Sequence, residues 1–181
     1  MNLPELRTAR LLLRRWRAED LGEFAAINGD PVVMEYFPET LTREQTAEMI
    51  ERMEAGFERD GYGFWAVEVS ETGSLAGFVG LNPVSKAMPF APAVEAGWRL
   101  GREHWGHGIA REAAEAALDH GFGPLGLDEI VAFTTVGNLP SRRLMERLGM
   151  RHDESADFDH PGLATGHPLT PHVVYRLSRE S

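Results

Sequence analysis

No cysteine occurs in the 181 residues. Disulfides, a cysteine nucleophile and thiolate metal sites are therefore excluded, and any thiol chemistry must arrive with a cofactor. Lysine is nearly absent too, with Lys86 the single one. The 18 basic residues face 28 acidic ones, a formal charge of −10, which argues against a nucleic-acid partner because such binding rests on cations at phosphates. The run Arg14-Arg15-Trp16-Arg17 reads as the solvated residues of an alternating opening strand, not as an RNA contact. No apolar run approaches the roughly 20 residues that span a bilayer, and Met1-Asn2-Leu3-Pro4-Glu5 has no basic-then-apolar leader pattern. A cytoplasmic protein without a membrane partner is expected. Repeats and long linkers are also missing, so residues 1–181 are expected to form one domain.

What is present is a strand feeding a two-glycine turn that opens a helix: Glu95 to Leu100, then Trp105-Gly106-His107-Gly108-Ile109-Ala110. The first amides of a helix lack intrahelical partners and lie at the positive end of its dipole, so an anion satisfies both. Without Cβ atoms, Gly106 and Gly108 let the backbone take positive φ and approach a ligand. Behind them Ile109, Ala113 and Ala117 form one row and Ala110, Ala114 and Leu118 the next, with Arg111, Glu115 and Asp119 opposite. A nucleotide-binding P-loop would need a Gly-Lys-Ser/Thr ending, which Lys86 is too distant to supply. A dinucleotide fold would need three spaced glycines near a first strand.

Elsewhere, strands are expected at 11–16, 64–70, 75–84, 93–100, 129–136, 150–158 and 172–178. Helices are expected from Ala18-Glu19-Asp20 to about Ile27, then over 43–59, 107–120 and 139–148. Thr42-Arg43-Glu44-Gln45 has capping-box spacing, and Glu44, Glu48, Glu51, Glu54 and Glu58 form an acidic face behind it. That face suits a cationic acceptor or plain solvation. Asn138 is suited to cap the last helix.

The turn resembles the acyl-CoA pyrophosphate loop of the GNAT N-acetyltransferase superfamily, with Trp105 where Gln or Arg is usual. Arg111-Glu112-Ala113 after it is similar to the branch named for the ribosomal-protein acetylating enzymes RimJ and RimL. So are Val94-Glu95-Ala96-Gly97-Trp98, Asn138-Leu139-Pro140-Ser141 with Leu148-Gly149-Met150, and the opening Leu6 to Arg14. The resemblance spans nearly the whole chain. It implies an α/β fold of the α+β kind: a mixed, mostly antiparallel, strongly twisted sheet of about seven strands with helices on both faces. It also implies acetyl-CoA as co-substrate, no metal, and an amine acceptor, either a protein N-terminus or a small molecule, handled by a monomer or a homodimer.

In that fold the strand ending at Leu100 and the strand before Asn138 splay apart and hold the pantetheine arm by backbone bonds. The cofactor set so implied is Leu100, Trp105, Gly106, His107, Gly108, Ile109, Ala110, Asn138 and Ser141. Glu95 is the candidate general base, acting through water, or else it orders the splayed strand. Ser141 is the candidate proton donor to the thiolate, or else it satisfies its own helix end. The family's common tyrosine acid falls at Met145, which has no proton to give. His104 and His107 are read as solvent-facing turn residues, with the His107 amide engaged. Residues 157–172 carry Asp157, Asp159, His160, His167 and His172 at spacings that match no metal pattern. With Pro31 to Pro38 they are the candidate acceptor walls. A non-catalytic acyl-CoA sensor is the alternative reading.

Overall fold

The computed structural model describes residues 5–179. Among these residues nine strands and four α-helices follow one another in chain order. β1 (Leu6–Arg7) and β2 (Leu11–Arg14) lead to α1 (Asp20–Gly29) and α2 (Arg43–Asp60), then β3 (Phe64–Val69), β4 (Leu75–Pro83) and β5 (Val94–Leu100). α3 (Ile109–Phe122), β6 (Glu129–Thr135), α4 (Leu139–Arg147), β7 (Arg151–His152), β8 (Phe158–Asp159) and β9 (Pro171–Ser178) complete the series. The sheet order is β1-β2-β3-β4-β5-β6-β9-β7, with β8 on β9. Every pairing is antiparallel except β5 with β6. Among the described residues no helix is long and apolar enough to cross a membrane.

Strand alternation sends side chains to two faces. On one, Phe24, Ile27 and Met53 of α1 and α2 bury Ala66, Leu75 and Phe78. On the other, the alanine rows of α3 lie on Val79, Leu81, Ala96 and Leu100, and Met145 of α4 meets Ala132, Val173 and Tyr175. Small side chains let α3 approach the sheet closely, while Arg111, Glu115 and Asp119 stay in solvent. The α2 capping box forms as expected, with Thr42 and Gln45 bonding each other's backbone amides.

The expected strand 150–158 is two short strands separated by a 3-10 turn at Glu154–Ala156. Asp153 folds the chain there: its carboxylate accepts from Ser155 Oγ at 2.6 Å and from Arg176 Nε at 2.7 Å. With β1 added, the expected seven strands become nine.

The arginine run is not a solvated face. All four residues of β2 are buried, because α-helices cover both sides of this interior strand. Arg14 is 3% exposed and forks onto Asp20 with two 2.8 Å bonds while its Nε donates to Glu68 at 2.6 Å. Asp20 above all, then Glu68, holds its guanidinium charged well above the usual range despite burial. Arg15 pairs with Glu54 and Glu58, and Arg17 with Glu68. Part of the acidic face of α2 is thus neutralised by its own chain.

Candidate active site

The only registered pair between β5 and β6 is Glu95 with Val131. Parallel strands held at one point and unpaired beyond it diverge, so a cleft opens from Glu95 toward Leu100 on one side and Thr135 on the other. α3 starts beyond the end of β5, and α4 starts beyond the end of β6. Both helix N-termini therefore lie at the open end of the cleft.

At the β5 side the two-glycine turn has the expected geometry. Gly106 and Gly108 both sit at φ 76°, and Gly108 is the N-cap of α3 with no side-chain cap bond. The first intrahelical bond runs from the Glu112 amide to the Gly108 carbonyl. The amides of Ile109, Ala110 and Arg111 are thus without intrahelical acceptors. Trp105, 45% exposed, donates its indole N–H to the Leu100 carbonyl at 2.9 Å, tying the turn to the strand end. The aromatic substitution therefore has a structural use. His107 is exposed as expected. His104 is not, since its side chain retains 15% exposure, with Nε2 3.8 Å from Glu103.

Sequence reading missed Arg10. Its guanidinium donates to the His107 carbonyl at 2.9 Å and to Glu112 at 2.7 Å, and Thr8 Oγ1 and the Arg10 amide also bond Glu112. A cation is thereby fixed beside the glycine turn, with Arg10 Nη2 3.5 Å from where a Cβ on Gly108 would lie. The Thr8-Ala9-Arg10 and Arg111-Glu112-Ala113 motifs were both visible as separate signals. Their contact, about a hundred residues apart in sequence, was not.

At the β6 side, Asn138 Oδ1 caps α4 by accepting from the Ser141 amide at 3.2 Å, and its Nδ2 donates to Thr134 Oγ1 at 3.0 Å. Ser141 Oγ accepts the Trp98 indole N–H at 3.1 Å. Because an indole only donates, the Ser141 hydroxyl is left to donate its own proton elsewhere. Met145 is 1% exposed in the core under α4, which explains why an apolar residue replaces the family's tyrosine.

Glu95 lies at the closed end on the opposite face of β5 from Trp98, so it and Ser141 flank the cleft without touching. Burial pushes its carboxyl up to about 7, opposed by a 3.1 Å bond from Asn82 Nδ2. Next to it on that face, a Cβ on Gly97 would meet the Phe64 ring at 2.9 Å. This is why the Glu-x-Gly pattern ends in glycine.

The two expected acceptor walls stand on this same face. In the 31–38 segment Val33 and Met34 are buried, Phe37 is 37% exposed, and Tyr36 reaches to 4.0 Å of a Cβ position on Gly137 beside α4. In the other wall Phe133 of β6, Phe90 and Phe158 pack mutually at ring distances of 5.2 to 5.9 Å. His160 and His172 join them 4.9 Å apart. Both imidazoles are pushed down, chiefly by burial. His160 Nδ1 accepts from the Gly162 amide while His172 Nδ1 faces the Thr170 carbonyl, so the two rings are held as different tautomers. Among the described residues no three histidine or carboxylate side chains converge as metal ligands would.

An uncapped helix behind a glycine turn at a splayed parallel strand pair defines an acyl-CoA-dependent transferase fold. The chain belongs to the acetyltransferase (GNAT) domain family, whose model matches residues 10–151, and it is an N-acetyltransferase. It is 32% identical over 154 residues to the uncharacterized N-acetyltransferase p20 of Bacillus licheniformis, covering 83% of this chain and 84% of that one. A GNAT-family acetyltransferase from Bacillus anthracis has the same fold with a TM-score of 0.80 at 24% identity, covering 97% and 98% of the two chains. The spermidine N-acetyltransferase of Vibrio cholerae, solved with CoA and spermine, aligns at TM-score 0.73 and 23% identity over 94% and 96%.

Proposed function

We propose that the chain, as one domain in the cytoplasm, transfers an acetyl group from acetyl-CoA to a primary amine by direct attack in a ternary complex. The observation that carries this reading is the pairing of an uncapped, glycine-fronted α3 N-terminus at the open end of the β5–β6 cleft with an acid of raised pKa at its closed end. The amides of residues 108–111, with Arg10 beside them, are suited to the pyrophosphate. The exposed strand edges beyond Glu95 and Val131 are suited to the pantetheine amides.

In the transfer step the amine nitrogen bonds to the acetyl carbon and the C–S bond breaks. Glu95 takes one proton from the amine, directly or through a water, and Ser141 supplies one to the departing sulfur. A carboxyl poised near 7 is a competent base at neutral pH. It suits an α-amine, whose reference pKa is about 7.7 to 8.0, better than a lysine side chain at about 10.4. Family membership and this acid–base pair both weigh against the sensor reading. The test is thiol release from acetyl-CoA across a panel of peptides and small primary amines. Release with one acceptor class is expected. Stabilisation by acetyl-CoA with no release from any amine would return the sensor reading to the front.

A further inference from the structure

Arg99 is buried to the same degree as the core around it, 9% exposed, and the acid–base chemistry does not use it. Its environment contrasts with that of Arg14, which is also buried but held by two carboxylates. Among the described residues no carboxylate lies within 4.0 Å of the Arg99 guanidinium. Its Nη1 donates to Asn28 Oδ1 at 2.8 Å and sits 3.8 Å from Met49 Sδ. The guanidinium carbon lies 4.2 Å from the Phe37 ring centre and 5.4 Å from that of Phe78, and Nε is buried without any partner. Buried charges are ordinarily paired, because desolvation is costly and ring faces return only part of it. Burial brings this group down to about 10, which still leaves it a full cation at neutral pH.

The cation is also held in place. Asn28 is fully buried, and its Nδ2 donates to Thr46 Oγ1, which donates on to the Thr42 carbonyl. This chain of bonds turns Oδ1 toward Arg99. Along β5, Glu95, Gly97 and Arg99 share one face, and Phe37, half in solvent, closes over the guanidinium from the 31–38 wall. The pyrophosphate loop is on the other face, where Ile109 and Ala113 pack against Leu100 and Ala96, so the cofactor phosphates are not its counter-charge.

Resting on the acetyltransferase reading, we infer that Arg99 is the anion-recognition group of the acceptor site, and that the acceptor is an amine that also carries a carboxylate. This class differs from a polyamine in carrying an anionic group beside its amine. It also departs from the hint of a cationic acceptor drawn from the acidic face of α2, two of whose carboxylates, Glu54 and Glu58, pair with Arg15.

A matched pair of amines tests it: 4-(aminomethyl)benzoate and its carboxamide, titrated calorimetrically into the CoA-loaded protein. The benzoate is expected to bind about tenfold or more tightly, the gain typical of a charge-assisted hydrogen bond. In Arg99→Met the gap should close with carboxamide affinity retained, and Arg99→Lys should restore part of it. Equal or absent binding of both amines to the wild-type protein overturns the inference whatever the variants do, and so does an equal loss for both amines in Arg99→Met. CoA binding recorded in the same cell separates the two levels. A normal CoA signal without the gap sinks only the role of Arg99, whereas no CoA signal sinks the reading beneath it.

Discussion

Helices α3 and α4 begin at the same open end of the same splayed strands, yet their first turns are finished differently. α4 is capped by Asn138, which bonds the Ser141 amide and Thr134. α3 starts at Gly108, which has no side chain to offer and holds a left-handed backbone at φ 76°. One helix satisfies its own orphan amides and the other leaves them outward. The difference separates a helix start whose backbone donors are left outward, as the proposed cofactor site requires, from one whose donors serve stability. Asn138, expected both to bind pantetheine and to cap the last helix, makes that cap with its two side-chain bonds.

If the two helix starts divide the labour in this way, substitutions should separate along the same line, with the chemistry between them the most sensitive. Glu95→Gln carries the largest expected effect, a loss of about 10²-fold or more in kcat with CoA affinity kept. The rise of wild-type activity with pH, centred near 7, should vanish with it. The same shift has a stability consequence of defined sign. Because the folded carboxyl holds its proton up to about 7 while the unfolded one releases it near its ordinary value of 4.5, stability falls as pH rises through that window. Above pH 7 Glu95→Gln should therefore be more stable than wild type by about 1–3 kcal/mol. Urea midpoints at pH 5 and pH 8 check this, and a variant no more stable at pH 8 would remove the buried-carboxyl argument.

Gly108→Val comes next. Space alone does not forbid a side chain there, since Arg10 Nη2 would lie 3.5 Å from the Cβ. The left-handed backbone does, at about 1–2 kcal/mol for a residue with a Cβ. Relief of that strain should turn the α3 amides away and weaken CoA binding about tenfold or more, read by calorimetry on protein shown to be folded. The smallest effect belongs to Asn138→Ala. Loss of the cap should cost about 1 kcal/mol, a fall of about 2–4 °C in Tm, with CoA affinity unchanged. A variant that kept its Tm and lost CoA would invert the contrast between the helices.

Local signals carried much of this organisation. Thr42 and Gln45 announced the start of α2, the alanine rows of α3 announced a closely packed helix, and Gly106 and Gly108 announced the turn. Each depends on residues within about one helical turn of one another. What was not legible depends on partners far apart in sequence. Arg14 looked solvated because Asp20 and Glu68 reach it only after folding. Arg10 and Glu112 meet across 102 positions, and Arg99 and Asn28 across 71. The break at Glu154–Ala156 depends on Arg176 holding Asp153. Trp105, which departs from the family pattern, made sense only once its indole was seen on the Leu100 carbonyl.

The central claim, that the uncapped α3 N-terminus is where the cofactor's pyrophosphate is held, is tested most directly by titrating the wild-type protein with CoA and with pantetheine, which shares the arm but lacks the phosphates. CoA is expected to bind at least about tenfold more tightly, and Gly108→Val to remove most of the difference. Equal affinities for the two ligands, or a difference untouched by Gly108→Val, would contradict it.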